Sequence, residues 1–195
     1  ETGAGPVALV GTSDSVLCAL DGASGAELWR QPLRNIGGRP SGTSALAVAD
    51  LAGDGARSIL AGTQGWYVNA FDADGAPLWA NWVRYHAITA LAVADADGDV
   101  HAEVMVGTEY STPLTVHNSD GSFRWSTFEE VGSEGNATTP RRGIGLTHIT
   151  LRDLDGDGVE EIVYGTADGW IYAVKPQDGA EVWHTALVGE VVGLV

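Results

Sequence analysis

The sequence predicts an all-β propeller of four-stranded antiparallel blades, with about four blades in 195 residues. Three observations carry this. Gly-Thr follows an apolar run four times, at Gly11-Thr12, Gly62-Thr63, Gly107-Thr108 and Gly165-Thr166. A tryptophan closes each unit, at Trp29, Trp79, Trp125 and Trp183, giving spacings of 50, 46 and 58 residues. Glycine, aspartate and asparagine break the apolar runs about every ten residues, too often for helices. A unit of several short strands repeated at that period is the mark of a propeller blade.

The elements follow in order. Residues 1–5 open with "ETG", fit no repeat, and are set aside as a linker or cloning scar; 6–195 hold the repeats. The first unit supplies strands two to four, "PVALVGT" and then "LCALDGASGAELW". Complete blades are expected at 43–83, 88–128 and 144–187. Each opens with a small apolar strand such as "ALAVA", suited to the crowded central axis, and closes with a tryptophan expected to fill space between blades. The segment "GEVVGLV" has the composition of a first strand. Joined to 6–33, residues 189–195 could complete a fourth blade, with Val191–Val195 pairing to Val7–Val10 within one chain or between two copies. Aligning "EVVGLV" on "TALAVAD" places the next acidic residue just past Val195, which suits part of a larger ring. A homodimer and a fragment of a larger propeller both remain open.

Composition narrows the function. Twenty-six acidic residues against ten basic give a net charge of −16. Such a surface repels phosphate backbones, so nucleic acid is not an expected partner. No run of eighteen apolar residues offers a membrane-spanning helix. The single cysteine, Cys18, excludes an internal disulfide and is expected to be an inert buried thiol.

The acids are scattered through turns, and those between first and second strands have a regular spacing. In "DLDGDGVEE", Asp153, Asp155 and Asp157 take positions 1, 3 and 5, the Val159 carbonyl position 7 and Glu161 position 9. The preceding blade repeats this with Asp95, Asp97, Asp99, the His101 carbonyl and Glu103. Alternate residues of a tight loop can point at one centre, and a hard cation takes six to eight oxygens, so calcium is the expected ion. Val100 stands where a glycine would ease the second turn. A third copy has decayed: Asp50 and Asp54 remain, but Ala52 and Ser58 replace the other acids.

These loops, followed by "EIVYGT", resemble the FG-GAP and VCBS repeats of integrin α-like propellers, whose D-x-D-x-D-G-x-x-D motif binds calcium. Asp153, Asp155, Asp157, Gly158 and Glu161 match it, with glutamate for the final aspartate. The tails "IYAVKPQDGAEVW" and "LCALDGASGAELW" resemble the repeats of quinoprotein (PQQ-dependent) propellers. The resemblance covers about Pro6 to Leu187. It implies the fold and calcium, and leaves activity open between adhesion, scaffolding, lyase and dehydrogenase roles.

No H-E-x-x-H, G-x-S-x-G or Cys/His pair appears, so no catalytic residue is singled out. The loops after the fourth strands lie on the face opposite the acidic loops. They hold Arg34, Arg39, Arg84, Arg141 and Arg142, half of the ten basic residues. Such loops on a rigid scaffold carry binding in many folds. Arg39, Arg84, Tyr85, His86, Arg141 and Arg142 are therefore the expected contacts for an acidic protein loop or a carboxylated glycan. The arginines could instead neutralise Glu129, Glu130 and Glu134 of their own insert. Asn136-Ala137-Thr138 is a glycosylation sequon in that insert. The expected function is a calcium-stabilised binding or adhesion module on the cell surface, outside the cell, or in a bacterial periplasm. The rivals are a polysaccharide lyase, a quinoprotein-like dehydrogenase fragment and a structural assembly scaffold.

Overall fold

The structure, a computed structural model, describes residues 5–38, 40–83, 86–110, 114–127 and 145–194. Among these, fifteen strands form four antiparallel sheets, each a simple meander. The first sheet has three strands, β1 (Val7–Gly11), β2 (Val16–Asp21) and β3 (Glu27–Pro32). One 3-10 turn at Ile36–Gly38 leads into the second sheet, β4 (Thr43–Ala49), β5 (Ser58–Thr63), β6 (Tyr67–Asp72) and β7 (Pro77–Trp82). The third is β8 (Ile88–Ala94), β9 (Glu103–Thr108), β10 (Leu114–His117) and β11 (Phe123–Ser126). The fourth is β12 (Leu146–Arg152), β13 (Glu161–Thr166), β14 (Trp170–Val174) and β15 (Glu181–Ala186). No α-helix occurs among the described residues, and no helix is long and apolar enough to cross a membrane.

The Gly-Thr pair now has a physical cause. It ends the second strand of each blade, and its glycine lies against the first inner residue of the next. A Cβ on Gly62 would stand 2.6 Å from Ile88 Cγ2, and one on Gly107 2.5 Å from Leu146 Cδ2. Gly11 meets Thr43 in the same way. No side chain fits there, so the backbone approaches the next blade directly. The threonine staples the following hairpin. Thr12 Oγ1 donates to the Val16 carbonyl at 3.0 Å and accepts the Val16 amide at 3.1 Å. Thr63 and Thr166 do the same to Tyr67 and Trp170.

The tryptophans make the second contact between blades. Trp29 lies against Gly75 of the next sheet, Trp79 against Gly121, and Trp125 against Gly179. Each of these glycines has a positive φ, in the turn four residues before the next closing tryptophan. Trp79 Nε1 and Trp125 Nε1 donate to the Ser119 and Pro176 carbonyls of those turns.

The core is divided between neighbouring sheets. Leu17, Leu33, Ile59 and Phe71 join the first two; Leu60, Val68, Val104 and Val106 the middle pair; Met105, Leu114, Ile162 and Tyr164 the last two. The second strands β5, β9 and β13 are buried at every position. The inner strand β4 alternates between half-buried and exposed, with Leu46 and Val48 exposed.

Two expectations need correction. Residues 187–194 form no strand, and among the described residues none of 191–194 pairs with β1. Val191 is held instead by the last sheet, where it fills the space beside Gly165 and its carbonyl accepts Thr147 Oγ1 at 2.6 Å. The equivalent Thr89 bonds the Leu146 carbonyl, so Val191 takes the place of Thr43, Ile88 and Leu146. This moves the register two residues from the alignment of Glu190 with Thr89. Cys18 is half-buried rather than buried, because it alternates with the buried Leu17 and Ala19 and faces the first sheet's uncovered side.

Two tests follow. Gly107→Val should drive a side chain into Leu146 and cost about 1–3 kcal/mol, the range for overpacking; an unchanged denaturation midpoint would contradict the contact. His117 is buried, with Nδ1 donating to the Gly121 carbonyl and Nε2 without a partner. Burial lowers its pKa, so the folded imidazole stays neutral while the unfolded one takes a proton near pH 6.5. Its contribution to stability is complete above that pH and declines as pH falls below it. Replacing His117 by Phe should flatten this part of the pH–stability curve, which chemical denaturation between pH 5 and 8 can read.

Candidate metal centre and docking face

The three acidic loops share one backbone shape, set by their first aspartate. Asp50 accepts the amides of Gly53 and Asp54 on Oδ1 and that of Gly55 on Oδ2. Asp95 accepts Gly98, Asp99 and Val100 in the same pattern. Asp153 accepts Gly156 and Gly158. Those amides, Gly55 first, hold the Asp50 carboxyl below the usual carboxylate range. The fifth-position aspartates each cap the amide two residues on: Asp54 to Ala56, Asp99 to His101 and Asp157 to Val159, all at 2.8 Å. The regular spacing of acids thus has a backbone role in every copy, including the one that has lost two acids.

The ninth residue enters the second strand and is buried. Glu161 is 3% exposed and accepts the Leu154 amide at 2.9 Å on Oε2. Glu103 is 2% exposed and accepts the Ala96 amide at 3.0 Å. Two carboxylate clusters result. Ligand atoms of Asp153, Asp155 and Glu161 lie within 4.8 Å of one another, as do those of Asp95, Asp97 and Asp99. All are hard oxygen donors, the set that calcium takes. Asp157 and Glu103 lie outside these two groups of three. Val159 and His101 stand at the seventh position of each loop, where their carbonyls were expected to contribute.

The two clusters differ in one side chain that sequence reasoning missed. Arg124 of β11 reaches across the third sheet to the loop, bonding Asp97 through Nη2 and Glu103 Oε1 through Nη1 at 2.8 Å. A guanidinium therefore already pairs with two of the four carboxylates of this loop. The corresponding residues before the other closing tryptophans are Leu28, Leu78 and Val182. That contrast was visible in "FRW" beside "ELW", "PLW" and "EVW". Burial pushes the Glu103 carboxyl up; the Ala96 amide opposes this, Asp97 adds to it and Arg124 opposes it.

Val100 has φ of 81°, in the place where Gly55 and Gly158 sit at 86° and 92°. A β-branched residue is strained there. It touches Gly53 of the neighbouring loop, and the Ala102 amide donates to the Leu51 carbonyl at 3.0 Å. Adjacent acidic loops are therefore coupled across the blade boundary.

On the opposite face, Arg34 is exposed after β3, and its amide is held by Asn69 Oδ1 at 2.8 Å. It rims a groove of about 450 Å³ between the first two sheets, lined by Leu33, Phe71, Leu78 and Trp79. His86 packs edge-on against Tyr110 at 5.0 Å, and burial lowers its pKa. Arg39, Arg84, Tyr85, Asn136, Arg141 and Arg142 lie outside the described residues.

The comparisons with known proteins agree with this architecture. The family model of outer membrane protein assembly factor BamB, a PQQ-type repeat model, matches residues 2–142. The chain belongs to this family. No curated protein matches it. Among solved structures it is similar to the computationally designed Ika8 protein, at 19% identity and TM-score 0.67, covering 95% of this chain and 48% of that one. It is also similar to BamB from Moraxella catarrhalis, at 19% identity and TM-score 0.62, covering 99% of this chain and 52% of that one. BBS1N, crystallised in complex with ARL6DN, aligns at 12% identity and TM-score 0.65, covering 97% of this chain and 53% of its own. The chain spans about half the length of each. At these identities the likeness shows the propeller fold, and the PQQ-like part of the resemblance is the part it supports.

Arg124→Leu, which copies the second blade's Leu78, should leave Glu103 buried beside Asp97 without a counter-charge. Breaking a buried pair costs 3–5 kcal/mol; with Arg124 21% exposed, about 2 kcal/mol is expected without calcium. Equal stability of the variant and the wild type in EDTA would show that Arg124 is not the neutralising group.

Proposed function

We propose that this BamB-like repeat module is a non-catalytic docking scaffold, stabilised by calcium and working outside the cytoplasm, in a periplasm if the source is bacterial. The observation that carries the calcium assignment is the convergence of Asp153, Asp155 and buried Glu161, with no arginine reaching the loop among the described residues. Its spacing is that of the FG-GAP type of loop. Three carboxylates within 4.8 Å repel one another, and a divalent cation removes that repulsion and ties the loop to β13. The Asp95 loop is the weaker site of the two, because a cation there must compete with Arg124 for Asp97. The family name, an outer membrane protein assembly factor, supports a scaffold role in which the propeller is rigid and its loops bind.

Docking is assigned to the loops after the fourth strands, with Arg39, Arg84, Tyr85, His86, Arg141 and Arg142 as contacts for an acidic protein loop or a carboxylated glycan. A basic patch on a body of net −16 orients an acidic partner, since other approaches are repelled. Arginine pairs bidentately with carboxylate. Asn136 is the assigned glycan acceptor if the source glycosylates.

Calorimetric titration with calcium tests the metal assignment. The wild type should bind one ion more tightly than a second. Asp155→Asn should remove the tighter event, and Arg124→Leu should strengthen the weaker one. At a free calcium of about 100 times Kd the tighter site should contribute about 2.7 kcal/mol, seen as a melting temperature raised by several degrees over EDTA. No heat of binding, together with superimposable melting curves in calcium and EDTA, would refute it. Pull-down of the partner with the Arg141→Ala, Arg142→Ala variant tests the docking face separately.

A further inference from the structure

Each sheet ends outward in an edge strand, and among the described residues β3, β7, β11 and β15 each pair on one side only. Three of these edges carry charge. β3 has Glu27 and Arg30, β11 has Arg124, and β15 has Glu181. Charges of this kind guard an edge against foreign strands. β7 has none: its six residues, Pro77–Trp82, read "PLWANW". Trp79 and Asn81 of β7 bond the Ser119 and Gly121 carbonyls of the third sheet's turn. Ala80 and Trp82 alternate with them and so belong to the other face. Leu78, the extra residue of a bulge, is 51% exposed, and Trp82 is 40% exposed.

Beside this edge lies the groove of about 450 Å³ between the first two sheets, at an internal boundary of the arc. Leu33, Phe71 and Leu78 form its apolar wall. Arg34 stands at the rim, exposed, and among the described residues no ion pair involves it. Its main chain is fixed by a buried side chain. Asn69, 2% exposed, accepts the Arg34 amide on Oδ1 at 2.8 Å and donates Nδ2 to the Arg34 carbonyl at 3.4 Å. The matching positions, one residue before the partner of each closing tryptophan, are Cys18, Thr115 and Tyr172. None of them offers a side-chain amide, so the clamp belongs to this blade alone. Asn69 lies opposite Ala80, which sets Arg34 at that level; Phe71 lies two residues along, opposite Pro77.

We propose that an extended segment of a partner protein adds to the edge of β7 as a further strand of the second blade. Its apolar side chain fills the groove against Phe71 and Leu78, and its carboxylate, two residues along, pairs with Arg34. Main-chain hydrogen bonds to β7 give affinity, and the two side chains give selectivity. Alternate residues of a strand share a face, so the recognised pattern is an apolar residue and an acid separated by one residue. A cation held in place on a body of net −16 selects the acid, because the rest of the surface repels it. The proposal rests on the docking reading in taking an acidic protein partner, but it uses none of Arg39, Arg84, Arg141 or Arg142.

Fluorescence anisotropy with the 195-residue chain tests it. The probes are capped, labelled heptapeptides with Leu, Val, Ile or Phe two positions from Glu, titrated with protein up to about 1 mM. Matched controls replace Glu by Gln, place the two residues side by side, or carry N-methyl groups on every second amide, in both phases. The best Glu peptide should bind about threefold more tightly than its Gln control, the size of an exposed ion pair. Arg34→Gln should abolish that difference and leave the Gln peptide unchanged. One phase of N-methylation should weaken binding about tenfold or more. Leu78→Arg, which copies Arg124 at the matching place in the third sheet, should weaken every peptide while retaining the β circular-dichroism spectrum. The Arg141→Ala, Arg142→Ala variant should bind the peptides as the wild type does. Binding lost in that variant and kept in Leu78→Arg overturns the groove and leaves the docking loops as the site. Absence of binding by every peptide overturns the proposal, and equal binding of both N-methylated phases overturns strand addition. A concentration-dependent dimer in light scattering that Leu78→Arg abolishes overturns it in favour of a second copy on this edge.

Discussion

A glycine in the second strand of each blade, pressed against the first inner residue of the next, is the contact on which the rest of this architecture depends. It lets the backbones of neighbouring sheets meet where any Cβ would collide with Ile88 or Leu146. The tryptophan laid on a turn glycine repeats the device near the hairpin that closes each blade. These two contacts fix how one sheet sits on the next, and the apolar clusters between sheets fill what lies between. Because every boundary uses the same pair of contacts, an arc of such blades has the same kind of face at every internal boundary.

That rigidity explains how the loops can differ while the blades do not. The Asp50, Asp95 and Asp153 loops share the same amide anchoring, which gives them one backbone shape. Their charge is handled in three ways. The first loop has lost two of its acids. The second keeps them and receives Arg124 from the fourth strand of its own sheet. The third keeps its acids and, among the described residues, pairs with no arginine, which is why the proposed cation is assigned to it first. One side chain one residue before a closing tryptophan thus separates two loops that look alike in sequence.

Most of the fold was legible because its determinants are local and repeated. Gly-Thr, the closing tryptophan and the Gly turn recur in every unit, and each reports one contact. What escaped had non-local causes. Arg124 reads as an ordinary surface residue until the sheet brings it to Asp97 and Glu103, which lie more than twenty residues away. The backbone roles of Asp95, Asp99 and Asp157 could not be told from ligand roles by spacing, since both demand alternate acids. Val191 was placed two residues out of register, because a run of small apolar residues aligns almost equally well at even offsets. The positive φ of Val100 was foreshadowed only by the missing glycine. Most of the residues chosen for docking belong to the loops at 39, 84–85 and 128–144, outside the described part of the chain.

Native-state hydrogen exchange tests most directly the claim that the blade boundary is the unit of stability. If the glycine contacts join the sheets into one cooperative body, the amides of Ser58–Thr63, Glu103–Thr108 and Glu161–Thr166 should exchange with a common, high opening free energy. Gly107→Val should then lower all three together. Strands that open one blade at a time, with the variant lowering protection only beside Leu146, would contradict the account.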